Sequence, residues 1–354
     1  MKPAVLGLAA LIYASAASAS ADIAQDAWAA LIKGDYALAL QLADRPARAG
    51  NPRAALVLAR LYATGRAPGA TRQTAIEWYR LAAAKGDKLA QLEFGIYLTQ
   101  PGASAADRAN AADLFEKAAA QGQADAAYNL GLVYSGGNGR RQSWSEAAKW
   151  LAVAANKGHI EASYNLGVLF SEGLGVAEDK KAAARLIGRA ASAGYADAQF
   201  DYGIMAMTGE GVQADPAVGV MWLKSAAEKG NVLAQNRYAR ALSGGVGVAR
   251  DERAAAKWHL IARQAGLPDP RLDIMLETLA PDDQAMAKAQ ARSFRAKLGI
   301  KPKIALQPKT ALAPKPALKP KTVRVPGTNL APRIDFAPLR APSPKTDFAP
   351  KPAG

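Results

Sequence analysis

The chain has 354 residues, half of them hydrophobic but only 7% aromatic, with no cysteine and a formal net charge of +15. The lack of cysteine excludes a disulfide framework, a thiolate nucleophile and a cysteine-held metal. An alanine-rich apolar fraction suits close-packed helices better than a sheet, which favours β-branched and aromatic residues.

At the N-terminus, Lys2 precedes an apolar run from Pro3 to Tyr13 and small residues from Ala14 to Ala21. That layout predicts a secretory signal peptide over 1–21, cleaved after Ala21 or, one step earlier, after Ala19. The run is too short for a bilayer, which needs about 20 residues. The expected location is therefore periplasmic or secreted, away from nucleic acid. Residues 22–50 predict a helical cap: a helix from Asp26 to Lys33, a turn at Gly34-Asp35, and a second helix from Tyr36 to Ala49 interrupted at Pro46.

From residue 51 the chain repeats itself every 36 residues without a gap: 51–86, 87–122, 123–158, 159–194, 195–230 and 231–266. Position 4 of each repeat is alanine, from Ala54 to Ala234. Position 8 is large (Leu58, Phe94, Leu130, Leu166, Tyr202, Tyr238) and position 9 small (Ala59, Gly95, Gly131, Gly167, Gly203, Ala239). Spacing of 4, 8 and 11 marks one stripe of a first helix. The last four repeats then carry glycine pairs, such as Gly137/Gly139 and Gly209/Gly211, that redirect the chain. Position 21 is an N-cap type each time: Thr71, Asp107, Ser143, Asp179, Asp215, Asp251. Ser143 and Glu146 have the spacing of a capping box. A second helix follows, its stripe drawn through position 28 (Trp78, Leu114, Trp150, Leu186, Trp222, Trp258) and the alanine at position 32. It ends at the glycine of position 36.

These residues resemble the Sel-1-like repeat, a branch of the tetratricopeptide-type helical solenoids. The match is clearest over Gln123–Gly266, in Ala126-Ala127-Tyr128-Asn129-Leu130-Gly131-Leu132-Val133-Tyr134, then Gly-x-Gly, then Ala-x-x-Trp-x-x-x-Ala-Ala-x-x-Gly. The second repeat departs from it, with Pro101-Gly102-Ala103 at the turn, and the first keeps only Gly65. The resemblance implies an all-α, right-handed α-solenoid with helical caps that binds proteins and is not an enzyme.

Residues 267–298 predict a C-terminal cap, its last helix opening at Pro281-Asp282-Asp283. From 299 to 354 the character changes. Residues 301–354 hold 12 of the 21 prolines, and 11 Lys/Arg against 2 Asp/Glu, while the rest of the chain carries 34 against 28. Such composition predicts a disordered tail that cannot bury a core. Asp-Phe-Ala-Pro occurs in it twice, at 335–338 and 347–350.

Chemistry-bearing patterns are sparse. His159 and His259 lie in different repeats at different phases, and His259 at position 29 reads as a half-buried substitute for an apolar residue. The glycine pairs follow no strand and precede no Gly-Lys-Ser/Thr, so they are not phosphate loops. No cofactor and no metal are expected. The candidate partner surface is a face of the first helices. Positions 3 and 7 read Asp125/Asn129, Glu161/Asn165 and Asp197/Asp201 in successive repeats, flanked at position 6 by Tyr128, Tyr164 and Phe200. By resemblance, first helices line the concave side, so this polar ladder would form a groove for an unidentified protein. The chain's own tail is a conceivable second occupant. An alternative is binding of an anionic envelope polymer or membrane surface through the tail. A monomer is expected.

Overall fold

The computed structural model describes residues 22–299. The expected signal peptide and the tail from residue 300 lie outside the described residues. Sixteen helices account for the described chain, with no strand among them. The fold is an all-α repeat array of the solenoid class, and none of its helices is long and apolar enough to cross a membrane. The chain divides into two compact bodies, one ending at His159 and the other beginning at Ile160.

The first body opens with α1, residues 22–33, and α2, Tyr36–Arg48. Helix α2 runs straight through Pro46, contrary to the expected interruption. Proline removes one N–H and so one helix bond, and here that loss falls within a turn of the helix end. Three repeats follow: α3 (Pro52–Ala63) with α4 (Arg72–Ala84), α5 (Lys88–Leu98) with α6 (Ala105–Ala120), and α7 (Ala124–Gly136) with α8 (Trp144–Asn156). The second body holds α9 (Ile160–Glu172) with α10 (Lys180–Ser192), α11 (Ala196–Thr208) with α12 (Pro216–Glu228), and α13 (Val232–Gly244) with α14 (Glu252–Gln264). It closes with α15 (Pro270–Thr278) and α16 (Pro281–Lys297).

Capping explains where the second helices start. Thr71, Ser143, Asp179, Asp215 and Asp251 each accept a backbone N–H of the first turn. The second repeat differs. Its N-cap is Ser104, and Asp107 is the reciprocal partner in a capping box, accepting from the Ser104 N–H at 3.1 Å. The box winds α6 one turn earlier than its counterparts. Ser143 makes only half of the expected box, since Glu146 turns to Lys149 at 3.2 Å.

Second helices end in paired bonds. Gly158 N–H donates to the Ala155 carbonyl and His159 N–H to that of Ala154. This is the double closure made when the residue after the helix is left-handed, and Gly158 has φ +88°. From the second repeat onward, the position-32 alanine thus ties each repeat to the residue that follows its closing glycine.

Inside a repeat, positions 4, 8 and 11 of the first helix face the core, with Ala54, Leu58 and Leu61 fully buried. The second-helix stripe needs correction. Position 29 is its centre: Tyr79, Phe115, Leu151, Ile187, Leu223 and His259 are all buried. Position 28 lies beside it, half-buried except at Trp258. The small residue at position 9 accepts this stripe. A Cβ on Gly131 would stand 2.9 Å from Leu151 Cγ, and one on Gly167 2.7 Å from Ile187 Cγ1. His259 is likewise not half-buried but sealed, its Nε2 2.7 Å from Asp273 Oδ1 of α15. It keeps a core slot while tying α14 to the cap.

Candidate partner-binding surface

The expected polar ladder can be placed residue by residue. In the first body, Tyr128 and Asn129 of α7 are buried, and Asp125 is half-buried. His159 Nε2 lies 3.4 Å from Asp125 Oδ1, and the His159 ring stacks on Tyr128 at 4.3 Å. In the second body, Tyr164, Asn165, Phe200 and Asp201 are buried, while Glu161 and Asp197 are half-buried. The Tyr164 hydroxyl donates to Asp201 Oδ2 at 2.7 Å, and Asn231 Nδ2 donates to Asp197 Oδ1 at 2.6 Å. Burial and the neighbouring Asp201 charge push the Tyr164 hydroxyl far above its ordinary range, which keeps it a donor.

These side chains therefore do not form an open ladder. Asp125, Tyr164, Asp197 and Asp201 make polar contacts by which a first helix grips the next repeat. The sequence argument assumed one buried stripe per helix. A first helix in fact packs against its own second helix and against neighbouring repeats, which leaves in α7 only positions 2, 3, 12 and 14 half-open. Asn129 Oδ1 and Asn165 Nδ2 lack hydrogen-bond partners among the described residues, but both are sealed from solvent and offer a ligand nothing.

Other polar contacts of this kind were not foreseen. Arg60 pairs with the buried Glu93 and lies 4.2 Å from the Trp28 ring centre. At the C-terminal end, Asp269 caps α15 and accepts from Asn236 Nδ2 at 2.9 Å and Arg240 Nε at 2.5 Å. Burial opposes the ionised Asp269, but the bonds from Arg240 and Asn236 outweigh it and hold the carboxyl below its usual range. Asp269 stands at position 3 of a shortened seventh repeat, a phase that could have revealed it.

An open cleft of about 440 Å³ lies in the first body, between α4 and α6. Ile76 and Arg80 of α4, Phe94 and Leu98 of α5, and Leu114 and Lys117 of α6 line it. Two features of the sequence mark the place: leucine instead of tryptophan at position 28, and the altered turn before α6. Among the described residues, no group of three His, Asp or Glu side chains is placed to hold a metal ion.

Comparison with known proteins agrees with this geometry. Residues 52–87, 88–123, 124–159, 160–195, 196–231 and 232–267 each match the Sel1 repeat. The structure is similar to the crystal structure of a Sel1 repeat protein from Oxalobacter formigenes. That likeness has a TM-score of 0.59 at 30% identity, covering 69% of this chain and 70% of that one. It is also similar to c5321, a protective antigen of uropathogenic Escherichia coli with an SLR fold. There the TM-score is 0.52 at 24% identity, covering 80% and 69%; at that identity the likeness speaks for the fold alone. Comparison with the curated proteins gave no match.

Proposed function

This chain belongs to the Sel1 repeat family, and we propose that it is an exported, non-enzymatic scaffold that binds a partner protein on its helical array. Sel1 repeat proteins mediate protein–protein contacts, and their scaffold is typically non-catalytic. The observation that carries the reading is the unbroken run of six repeats, which occupies most of the described chain. An array of this kind grows by stacking and presents an extended surface rather than one enclosed pocket. Export rests on the 1–21 segment.

The partner surface is then the outward side of the array, since the first-helix ladder is occupied by contacts between repeats. Affinity capture from envelope extract with the mature chain, followed by calorimetry against the purified candidate, tests this. Binding by residues 22–299 alone makes the array the recognition unit. Failure of any purified candidate to bind the array overturns the reading.

A second reading, binding of an anionic polymer or membrane surface, is favoured by the excess of 11 Lys/Arg over 2 Asp/Glu in residues 301–354. Attraction of that kind fades with salt, since exposed charges are screened within about 8 Å at physiological ionic strength. Tail-dependent binding to anionic vesicles that survives high salt would count against it.

A further inference from the structure

The cleft between α4 and α6 lies at one of the two repeats, with Leu114 and Leu186, whose position 28 is leucine rather than tryptophan. In the preceding repeat, Trp78 at position 28 lies beneath the Arg48 guanidinium of α2, 5.8 Å from its ring centre, so that its indole meets the helix before it. Leu114 holds the same position facing α4 and is too short to fill the space. The floor is apolar, made by Phe94, Leu98 and Leu114.

The charges around the floor are not equivalent. Asp113 is paired with Arg140, and Asp107 with Arg72 and Ser104. Arg80 and Lys117 are exposed and make no ion pair among the described residues. The site therefore offers an apolar slot beside two uncommitted cations. That combination fits an aromatic side chain next to a carboxylate.

The chain carries such a pair twice. In residues 301–354 the only acidic residues are Asp335 and Asp347, and the only aromatics are Phe336 and Phe348. Each acid directly precedes an aromatic, and each pair continues as Ala-Pro, a dipeptide whose first residue favours extended conformations. From Gly299 to Asp335 the chain advances 36 residues, up to about 110 Å at roughly 3.1 Å per residue of extended chain. Reach is not limiting.

We propose that the α4–α6 cleft binds the chain's own Asp-Phe-Ala-Pro segments, one at a time, with Phe336 or Phe348 over Leu114 and the adjoining aspartate against Arg80 and Lys117. The tail then covers part of the array, and a partner using this face has to displace it.

Hydrogen exchange of the full mature chain tests the proposal. Residues 105–117 should exchange several-fold faster in Phe336→Ala/Phe348→Ala than in the wild type. A fluorescein-labelled peptide of residues 331–354 should bind the full-length double variant, whose own tail no longer competes. Adding Leu114→Trp, which fills the slot, should weaken that binding by about tenfold, the scale of one buried aromatic anchor. Arg80→Glu/Lys117→Glu alters exposed residues only and should weaken it as well, so the test survives if Leu114→Trp misfolds. Equal exchange with and without the phenylalanines overturns the proposal, as does peptide binding indifferent to every cleft variant. Protection that rises with protein concentration, with a dimer in light scattering, places the segment on a second copy and overturns the intramolecular form.

Discussion

Two glycines of the first body separate two reasons for glycine in this array. Gly158 has φ +88° and nothing within 4 Å of where its Cβ would stand. Gly139, the second of a turn pair, has φ +97°, and its Cβ would lie 2.3 Å from the Arg108 carbonyl oxygen at the start of α6. Gly211 and Gly247 repeat that approach, 2.0 Å from the Lys180 and 2.3 Å from the Pro216 oxygen. The Gly-x-Gly turn is thus seated on the second helix of the repeat before it. In the third repeat Arg140 reinforces the seat, with Nη1 donating to the Ala109 carbonyl at 3.2 Å. Alanine at 158 suffers the left-handed penalty alone, about 1–2 kcal/mol. Alanine at 139 suffers it too, and must also push two backbones apart, which adds about 1–3 kcal/mol. Urea unfolding of the mature chain, followed by far-UV circular dichroism, should show Gly139→Ala less stable than Gly158→Ala by that second amount. Equal losses would refute the reasoning, because the turn glycine would then serve φ and nothing else.

Tyr164→Phe removes the donor to the buried Asp201 carboxylate and should lower unfolding free energy by about 1.5–3 kcal/mol; a loss below about 0.5 kcal/mol would mean that the bond contributes little. Glu93→Leu strands the Arg60 guanidinium between helices and should cost about 2 kcal/mol or more, while Arg60→Leu/Glu93→Leu should recover much of that loss; a double variant no better than the single would contradict it. Asp269 is held below the unfolded carboxylate value of about 3.9, so its contribution is present above that value and fades as pH falls through the lower, folded one. Between pH 6 and pH 3 the wild type should therefore lose more melting temperature than Asp269→Asn, and parallel losses would deny Asp269 this role. N-terminal sequencing of envelope material should begin at Asp22 or Ser20, and an intact Met1 would argue against export.

What the sequence made legible was local. Helix caps and turns depend on single residue types at fixed spacing, and 36-residue recurrence exposed them despite the odd second repeat. What it hid depends on neighbours. Positions 28 and 29 are both apolar in most repeats and only about 100° apart on the helix, so periodicity alone could not choose the stripe. Packing of position 29 against the small position 9 chooses it. Ser104 displaced Asp107 as the cap because both residue types can cap and only the path of the turn decides. His259 looked like a lapse in an apolar column because Asp273, its partner, stands on a helix outside the repeat frame.

The buried polar residues answer a question that the apolar ones leave open. Each repeat presents nearly the same alanines and leucines to its neighbour, so apolar packing scarcely distinguishes one pairing of repeats from another. The polar contacts do distinguish them: Arg60 with Glu93, Tyr164 with Asp201, Asn231 with Asp197, Asn236 and Arg240 with Asp269. A slipped or swapped pairing would bury a carboxylate or guanidinium without its partner, at a cost of several kcal/mol, and so would be rejected. The acidic and aromatic residues that resembled a recognition surface do recognise something, and it is the next repeat of the same chain. Outside these contacts, residues such as Met221 of α12 stand exposed on the second helices. At the half-buried position 28 the side chain changes from tryptophan to leucine, at 114 and again at 186, without disturbing the order of the array.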